Sequence, residues 1–566
     1  MNQLKISIAN KISEILASDV LTAADISAFF DTPPDPSMGD IALACFKLSK
    51  ALRKSPMVIA SELSDSLQND PISGIKKVES AGGYLNFFLD DSYRVSILRS
   101  ILEKGEKYGS SDIGKGKTMV IDYSSPNIAK RFHIGHLGTT IIGNSIKLIH
   151  RFCGYETVGI NYLGDWGTQY GKLVVSFKKW GNEDTIREIG IEELNRLYVL
   201  YGTNAEKDPS LDDEARKEFA ALEAGDEENL RLWRLFKEIS LKEYMKTYDL
   251  LGVSFDSFNG ESFYSDKMPA VVEELKEKNL LKLDDGASLV DLEEYKMPPC
   301  LILKRDGSSL YPTRDIAAAL WRKKEYAFDK CVYVTSAGQS LHFAQWFKVV
   351  GLMGYDWEDQ LVHVPYGTFS INGEKIASRT GNVVLLDDLF REAIEKAEAI
   401  ISEKNPDLEN KEEIAKDVGV GAVILSSLSA NRIKDVNFNW SEALNFDGNT
   451  GPYAQYTYAR TCSILNKNDA FVCPETAVLC NEEKELITTL SLFPERVLRS
   501  LEEYEPSIIT RFALDLCQSF NRFYNACPIR NAEGDEKAVR LSLCQAVKNV
   551  LGTALHLIGL RTPEKI

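Results

Sequence analysis

Apolar side chains recur every three or four positions from Met1 to about residue 30, which predicts one helix. Three prolines and a glycine in TPPDPSMGD (32–40) end it. Helical spacing returns in IALACFKLSKALR and MVIASELSDSL, and the alternation in VESAGGYLNFFL (78–89) predicts a strand. The glycines and serines of GSSDIGKGK (109–117) read as a linker that closes a small α+β module. The pattern then changes. TMVIDY (118–123) is a short β-branched run, followed by a loop, a helix from about His136 to Cys153 and a strand in ETVGINYLG (156–164). That βαβ unit begins a parallel sheet. Residues 172–280 predict charged amphipathic helices, an insertion or a helical crossover. Strand–helix alternation resumes with PCLILKRD, RDIAAALWRKKEYAF, CVYVTS, LHFAQWFKVVGLMG and LVHVPYGTF, and from DDLFREAIEKAEAII onward the chain reads as helix. The expectation is an α/β core between two flanks: an α+β module at 1–115, the core with its helical insertion at 116–440, and an α-helical bundle at 441–566.

The 566 residues suit about three or four domains, and 44% hydrophobic with 26% charged residues is ordinary globular composition. No run approaches the roughly 18 apolar residues of a membrane span. The N-terminus lacks an apolar core and carries Glu14 and Asp19, so no signal or transit peptide fits and a cytoplasmic protein without a membrane partner is expected. None of the ten cysteines forms a C-x-x-C pair, and none of the six histidines has a cysteine at zinc-ligand spacing. The cysteines therefore read as small buried hydrophobes in a reducing compartment, and no protein-held metal is expected. The net charge of −17 argues against nucleic acid on average, but the charge is unevenly spread. Residues 1–115 carry 13 basic and 15 acidic side chains, and 441–566 carry 13 and 16, so most of the excess lies in the core. RNA remains open as a partner of the flanks, with Lys47, Lys50, Arg53 and Lys54 as either a backbone-binding stripe or a solvated helix face.

The most informative stretch is SSPNIAKRFHIGHLGTTIIGN, from Ser124 to Asn144. It follows a strand and opens a helix, where backbone N–H groups and the helix dipole favour anions. His133 and His136 are three apart and share a face, with Gly135 between them allowing close approach by a phosphate.

HIGH at 133–136 resembles the ATP signature of the class I aminoacyl-tRNA synthetases. SSPNIAK-x-x-H-x-GHL, NYLGDWGTQYG (161–171), YPTRDIAAA (311–319) and GEKIASRTGNVV (373–384) are similar to successive blocks of the arginyl branch. GPYAQYTYAR (451–460) resembles the start of its anticodon-binding helices, and PSMGDIALACFKLSKAL with AGGYLNFFL resembles its N-terminal accessory domain. The resemblance spans nearly the whole chain in the right order. It implies a Rossmann-type catalytic core and an enzyme that joins L-arginine, through an adenylate made from ATP, to tRNA(Arg). Mg²⁺ would come with ATP, and a monomer is expected.

By the same resemblance His133, His136, Lys130 and Lys375 would be catalytic, and Pro126, Asn127, Gly135, Ser378 and Arg379 would bind ATP. Asp122, Asn161, Tyr311, Asp315 and Gln339 would hold arginine, whose planar guanidinium demands carboxylate and amide acceptors. Tyr453, Gln455, Tyr456 and Arg460 would meet tRNA, since flipped-out bases stack on such groups. Ordinary structural roles compete at several of these positions: Asp315 could complement a helix dipole, Asp122 could finish a strand, and the aromatics at 453–460 could be core. Three positions depart from the family pattern. Ser378 replaces the second lysine of KMSKS, a role the arginyl pattern gives to Lys130; Arg131 stands where proline is usual, and Gly138 where arginine is usual. A cysteinyl synthetase would need zinc ligands near the site, a silent tRNA-binding paralogue should have lost a signature residue, and a small nucleotidylyltransferase has no use for the long helical C-terminus.

Overall fold

The computed structural model describes residues 2–566 except 18–20, 34, 306, 372–373, 376–383 and 447. The expected N-terminal helix is two. Asn2–Leu16 ends as Ala17 turns left-handed, and Ala23–Ser27 starts afresh on a capping box in which Thr22 and Asp25 satisfy each other's backbone N–H groups. The predicted strand at 78–89 is a hairpin, Ile75–Ala81 and Tyr84–Leu89, because Gly82 and Gly83 take the positive φ values of a tight turn. With Phe30–Asp31 and Ile41–Ala44 it makes a four-stranded antiparallel sheet. Ile8, Ile12, Leu43, Leu48, Leu63 and Phe87 form its core.

The helix Asp91–Lys104 leaves that core. It buries Val95, Leu98 and Ile101 in the large cluster shared by the α/β core and the C-terminal bundle. The expected linker at 109–117 is pinned: Gly114 N donates to Cys153 O at 2.9 Å and Glu156 N to Lys117 O at 3.0 Å.

The central sheet is parallel, in the order Leu361–Tyr366, Lys330–Ser336, Thr118–Asp122, Glu156–Ile160. Its central strands are buried on both faces. Met119, Ile121 and Val332 point to the cluster continuous with the bundle, while Val120, Cys331 and Tyr333 point to Ile316 and Trp346. The first and third strands in chain order lie side by side, so a crevice opens at their carboxyl ends where the connections part.

The expected strand PCLILKRD does not join this sheet. Cys300–Leu303 pairs antiparallel with Ala287–Val290, whose hairpin partner is Leu281–Asp284 across an Asp285-Gly286 turn. Its alternation gives the reason, for Cys300 and Ile302 are buried and Leu301 is exposed, the pattern of a sheet covered on one face. The insertion folds as helices, the longest being Glu227–Leu251. The C-terminal bundle comprises Gly451–Asn466, Asn481–Ser491, Phe493–Glu503, Ser507–Ala526 and Gly534–Leu557. Among the described residues no helix is long and apolar enough to cross a membrane.

Candidate active site

The chain leaves the strand Thr118–Asp122 through a loop held in sparsely populated backbone conformations. Ser124, Ser125 and Ala129 have φ of 72°, 49° and 61°, each disfavoured for a residue with a Cβ. Side chains from neighbouring elements fix them there. Ser124 N donates to Thr139 Oγ1 at 3.0 Å, and its hydroxyl meets Tyr248 Oη at 2.8 Å. Ala129 N donates to Ser240 Oγ at 2.8 Å, and Tyr244 Oη donates to the carbonyls of Asn127 and Lys130 at 2.7 and 2.6 Å. Tyr244, Tyr248 and Ser240 all come from the long insertion helix, which thus shapes the loop.

A single turn, Ile134–His136, leads into the helix Leu137–Phe152. The rings of His133 and His136 lie 4.0 Å apart, and Phe132 stacks on His136 at 5.0 Å. His133 Nδ1 accepts from Gly135 N at 3.1 Å, and His136 Nδ1 lies 3.3 Å from His133 N and 3.2 Å from His133 O. With its Nδ1 accepting, neutral His133 carries its proton on Nε2. Burial, with His133 and Lys130 adding to it, pushes His136 down to about 3, and His133 is lowered for the same kind of reason. Two neutral imidazoles therefore stand at the helix start. Gly138 has a packing cause, because a Cβ there would run into the Phe369 ring and press on Tyr366. Arg131, the other departure here, reaches Glu192 at 3.4 Å.

The second signature meets the first. Phe369–Ile371 pairs with Glu374–Lys375 as a hairpin, and the chain returns at Val384, whose carbonyl accepts from Ile134 N at 3.1 Å, while Leu386 N donates to Phe132 O at 3.0 Å. His133 and Leu385 form an antiparallel bridge. Lys375 lies on that hairpin; Ser378 and Arg379 lie outside the described residues.

A cleft of about 410 Å³ opens beside this seam. Asn127, Gly135 and His136 line one wall, and Tyr311, Asp315, Gln339 and His342 another, with Asp122, Arg322 and Tyr333 also lining it. Tyr311 and Asp315 lie one turn apart on the helix Tyr311–Tyr326, as the motif implied. Pro126 is buried behind the wall, where its carbonyl accepts from Gly164 N. Lys130 is exposed next to the site, with its ammonium 5.7 Å from the Tyr198 ring.

Two expected arginine ligands have other partners. Asp122 Oδ2 lies 2.8 Å from Arg322 Nη1, and Oδ1 accepts from Ser125 Oγ at 2.9 Å. Asn161 is fully buried, donates to Tyr248 Oη at 2.9 Å and is absent from the cleft wall. Sequence reasoning missed Glu261, a cleft carboxylate 2.7 Å from Arg314 and pushed up to about 7 by burial against the pull of that arginine. It lies in the helical insertion, in a segment without a motif. It also missed Arg322, which is completely buried among the rings of Tyr162, Tyr264 and Tyr333.

In the bundle, Arg460 lies over Tyr456 at 5.0 Å and over Tyr524 at 5.1 Å, and both tyrosines are exposed. Asn521 ties the set together, accepting from Arg460 Nη1 at 2.6 Å and donating to Tyr453 Oη at 2.8 Å. Gln455 points the other way. It is fully buried and donates to the carbonyls of Asp417 and Arg561 at 3.0 and 2.8 Å, so it braces the bundle rather than facing a base. In the N-terminal module Lys54 pairs with Glu62 at 2.7 Å and Lys47 stands 3.9 Å from Asp31, which fits a solvated face at those two positions.

Residues 97–440 match the family described as tRNA synthetases class I (R), catalytic domain. Residues 454–566 match the DALR anticodon binding domain, and residues 2–89 the arginyl tRNA synthetase N terminal domain. The chain is 48% identical over 562 residues to an arginine–tRNA ligase of Alkaliphilus metalliredigens, covering 98% of this chain and 99% of that one. It is 48% identical over 570 residues to one of Clostridioides difficile, covering both chains in full. Among solved structures it resembles a Thermus thermophilus arginyl-tRNA synthetase, with a TM-score of 0.84, 26% identity and 99% of each chain covered. With the catalytic match spanning more than half of its length and full-length relatives at this identity, the chain belongs to the arginine–tRNA ligase family of class I tRNA synthetases.

Proposed function

We propose that this protein activates L-arginine with ATP and transfers it to tRNA(Arg), acting as a cytoplasmic monomer. The observation that carries the reading is one cleft with two unlike walls: a histidine turn at a helix start, His133–His136, and a wall bearing the carboxylates of Asp315 and Glu261. Arginine's carboxylate oxygen attacks the α-phosphorus of ATP in line with the departing pyrophosphate. The terminal adenosine hydroxyl of tRNA then attacks the adenylate carbonyl, and AMP leaves. This chemistry asks the protein for position and for charge neutralisation. His133 and His136, as neutral imidazoles, would hydrogen-bond the phosphoryl oxygens without the cost of burying a cation. Lys130 and Lys375 would bring the positive charge, with Ser378 and Arg379 completing the loop and Pro126, Asn127 and Gly135 forming the nucleotide's bed.

At the other wall Asp315 and Glu261 would face the guanidinium, with Tyr311 and Gln339 at its edge. Asp122 would act through Arg322 by holding the cleft floor, and Asn161 by holding Tyr248 beneath the loop. Mg²⁺ would be carried by the ATP phosphates, because the cleft carboxylates already have partners: Arg322 for Asp122, Arg314 for Glu261 and His342 for Asp315. Tyr456, Arg460 and Tyr524 form a stacking ladder suited to unpaired bases. ATP–pyrophosphate exchange with each of the twenty amino acids, with and without total tRNA, tests the reading. Arginine alone should support exchange and be charged onto tRNA; exchange with a different amino acid, or none with tRNA present, overturns it.

A further inference from the structure

Far from the cleft, the C-terminal bundle brings two thiols into contact. Cys480 caps the start of the helix Asn481–Ser491 and Cys527 the end of Ser507–Ala526, and their sulfurs are 3.3 Å apart. The two residues are 47 positions apart in sequence, so only the folded bundle joins them. They differ in reach. Cys480 is half-buried, and Cys527 is 2% exposed.

Cys480 lies at the positive end of a three-turn helix, and its backbone N–H donates to Glu483 Oε2 at 3.0 Å. Arg540 binds the same Glu483 at 2.9 Å and donates to the carbonyl of Pro528, directly after Cys527, at 3.0 Å. Burial and the hydrogen bond with Cys480 push the Cys527 thiol up to about 12. Cys480 is the sulfur that a peroxide can reach, so it attacks and the buried Cys527 resolves.

Glu482 brings a carboxylate oxygen within 4.8 Å of both sulfurs, a set that could also hold a thiophilic metal ion. Two observations weigh against that use. Tetrahedral Zn–S bonds of about 2.3 Å hold two sulfurs roughly 3.8 Å apart, wider than the 3.3 Å found here. The guanidinium of Arg540 would also repel a cation.

We propose that Cys480 and Cys527 form a reversible oxidation site, converted by hydroperoxide into an intramolecular disulfide. The Cys480 thiolate attacks one peroxide oxygen, the O–O bond breaks, and hydroxide leaves to take up a proton as water. Cys527 loses its proton and attacks the sulfenic sulfur, the S–O bond breaks, and a second water departs. Two thiols are oxidised by two electrons, and one peroxide is reduced to two waters. The bond needs the sulfurs to close to about 2.05 Å, a movement of roughly 1.3 Å within reach of side-chain rotation. It would clamp the start of Asn481–Ser491 to the end of Ser507–Ala526. That helix start also docks on Asp91, through Leu479 N at 3.3 Å and Lys484 at 3.1 Å, so the clamp would tighten the seat of the N-terminal module's exit helix on the bundle.

The test treats the full-length reduced protein with one equivalent of hydrogen peroxide, alkylates the remaining thiols and maps peptides without reductant. The expected product joins the peptides of Cys480 and Cys527, two hydrogens lighter than the reduced pair, and dithiothreitol restores both thiols. Their loss should run at least about tenfold faster than that of the eight other cysteines. In Cys527→Ser the reaction should stop at a Cys480 sulfenic acid that dimedone captures. Oxidation elsewhere with this pair left reduced overturns the proposal. So does a zinc titration in which one equivalent of Zn²⁺ shields both thiols from alkylation and from peroxide, for the site would then be a metal site. The wild-type mapping needs no variant, so a poorly folding Cys527→Ser leaves the result decisive.

Discussion

Asp315 Oδ2 lies 2.6 Å from His342 Nε2, so the carboxylate expected to read the substrate's guanidinium is held by a histidine from the neighbouring helix Ser340–Leu352. The contact fixes the rotamer of Asp315 on the cleft wall, and Oδ1 accepts no hydrogen bond from the described residues. Asp315→Asn keeps the size but removes the charge and can turn a donor toward the guanidinium. The arginine KM should rise at least about tenfold, in keeping with roughly 2–5 kcal/mol for one partner of a desolvated charged pair. The ATP KM should hardly move, and discrimination against neutral citrulline should shrink. An unchanged arginine KM with only a lower melting temperature would make Asp315 a helix-end charge.

Glu261, raised to about 7, is half protonated near neutral pH. A bound guanidinium favours the ionised form and pulls this value down, so arginine binding should release a proton there. The ionised fraction grows about tenfold between pH 6 and 8 for such a group, and the arginine KM should fall by a similar factor over that range. Calorimetry in buffers of different ionisation enthalpy reads the proton directly. Glu261→Gln should abolish the release and flatten the profile; a profile identical to wild type would remove Glu261 from binding.

Asp122→Ala leaves Arg322 fully buried without its counter-ion. Breaking such a pair costs about 3–5 kcal/mol, so chemical denaturation should show a large loss of stability. The paired change Asp122→Leu with Arg322→Met should recover much of it. If the single variant is as stable as wild type, the pair is not the cleft's structural floor.

Lys130 is exposed next to the histidine turn, while Ser378 stands where a second loop lysine would be. Lys130→Ala should lower the rate of adenylate formation by about 10²-fold, and Lys375→Arg by far less. Equal rates for Lys130→Ala and wild type in a rapid-quench assay would return the whole burden of positive charge to the loop.

Tyr456→Ala removes one rung of the ladder built on Arg460. Base stacking is worth about 1–3 kcal/mol, so the tRNA KM should rise five-fold or more while the arginine KM stays level. Because Tyr456 is exposed, the fold should survive, as circular dichroism would confirm. No change in tRNA KM would make the ladder mere surface packing.

The parallel core was legible because its strands and helices obey local periodicity, and the histidine turn because His133, Gly135 and His136 sit at a strand-to-helix junction. What stayed hidden depends on long-range pairing. Cys300–Leu303 has the composition of a core strand, yet its neighbour is decided by the Asp285-Gly286 hairpin. Asp122 looked like a ligand because nothing in sequence couples it to Arg322, two hundred residues away. Gln455 sits among tyrosines in sequence, but its helical phase turns it inward to two carbonyls. Glu261 had no motif to announce it, and its unusual ionisation arises from burial, with Asp315 and Asp165 adding to it against the pull of Arg314.

The left-handed residues Ser124, Ser125 and Ala129 carry a consequence for how the enzyme meets its substrates. Each would relax if freed; the tyrosines and serine of Glu227–Leu251 hold Ser124 and the 127–130 stretch, while Asp122 and the Tyr162 N–H hold Ser125. The insertion is therefore a mould for most of this loop, and the bed proposed for the nucleotide is cast as the chain folds. Free and liganded protein should share one shape over 124–130, and whatever adjustment accompanies binding belongs to other parts of the cleft wall. Loosening the mould, as in Tyr244→Phe, would leave every substrate contact in place yet blur the surface on which they are made.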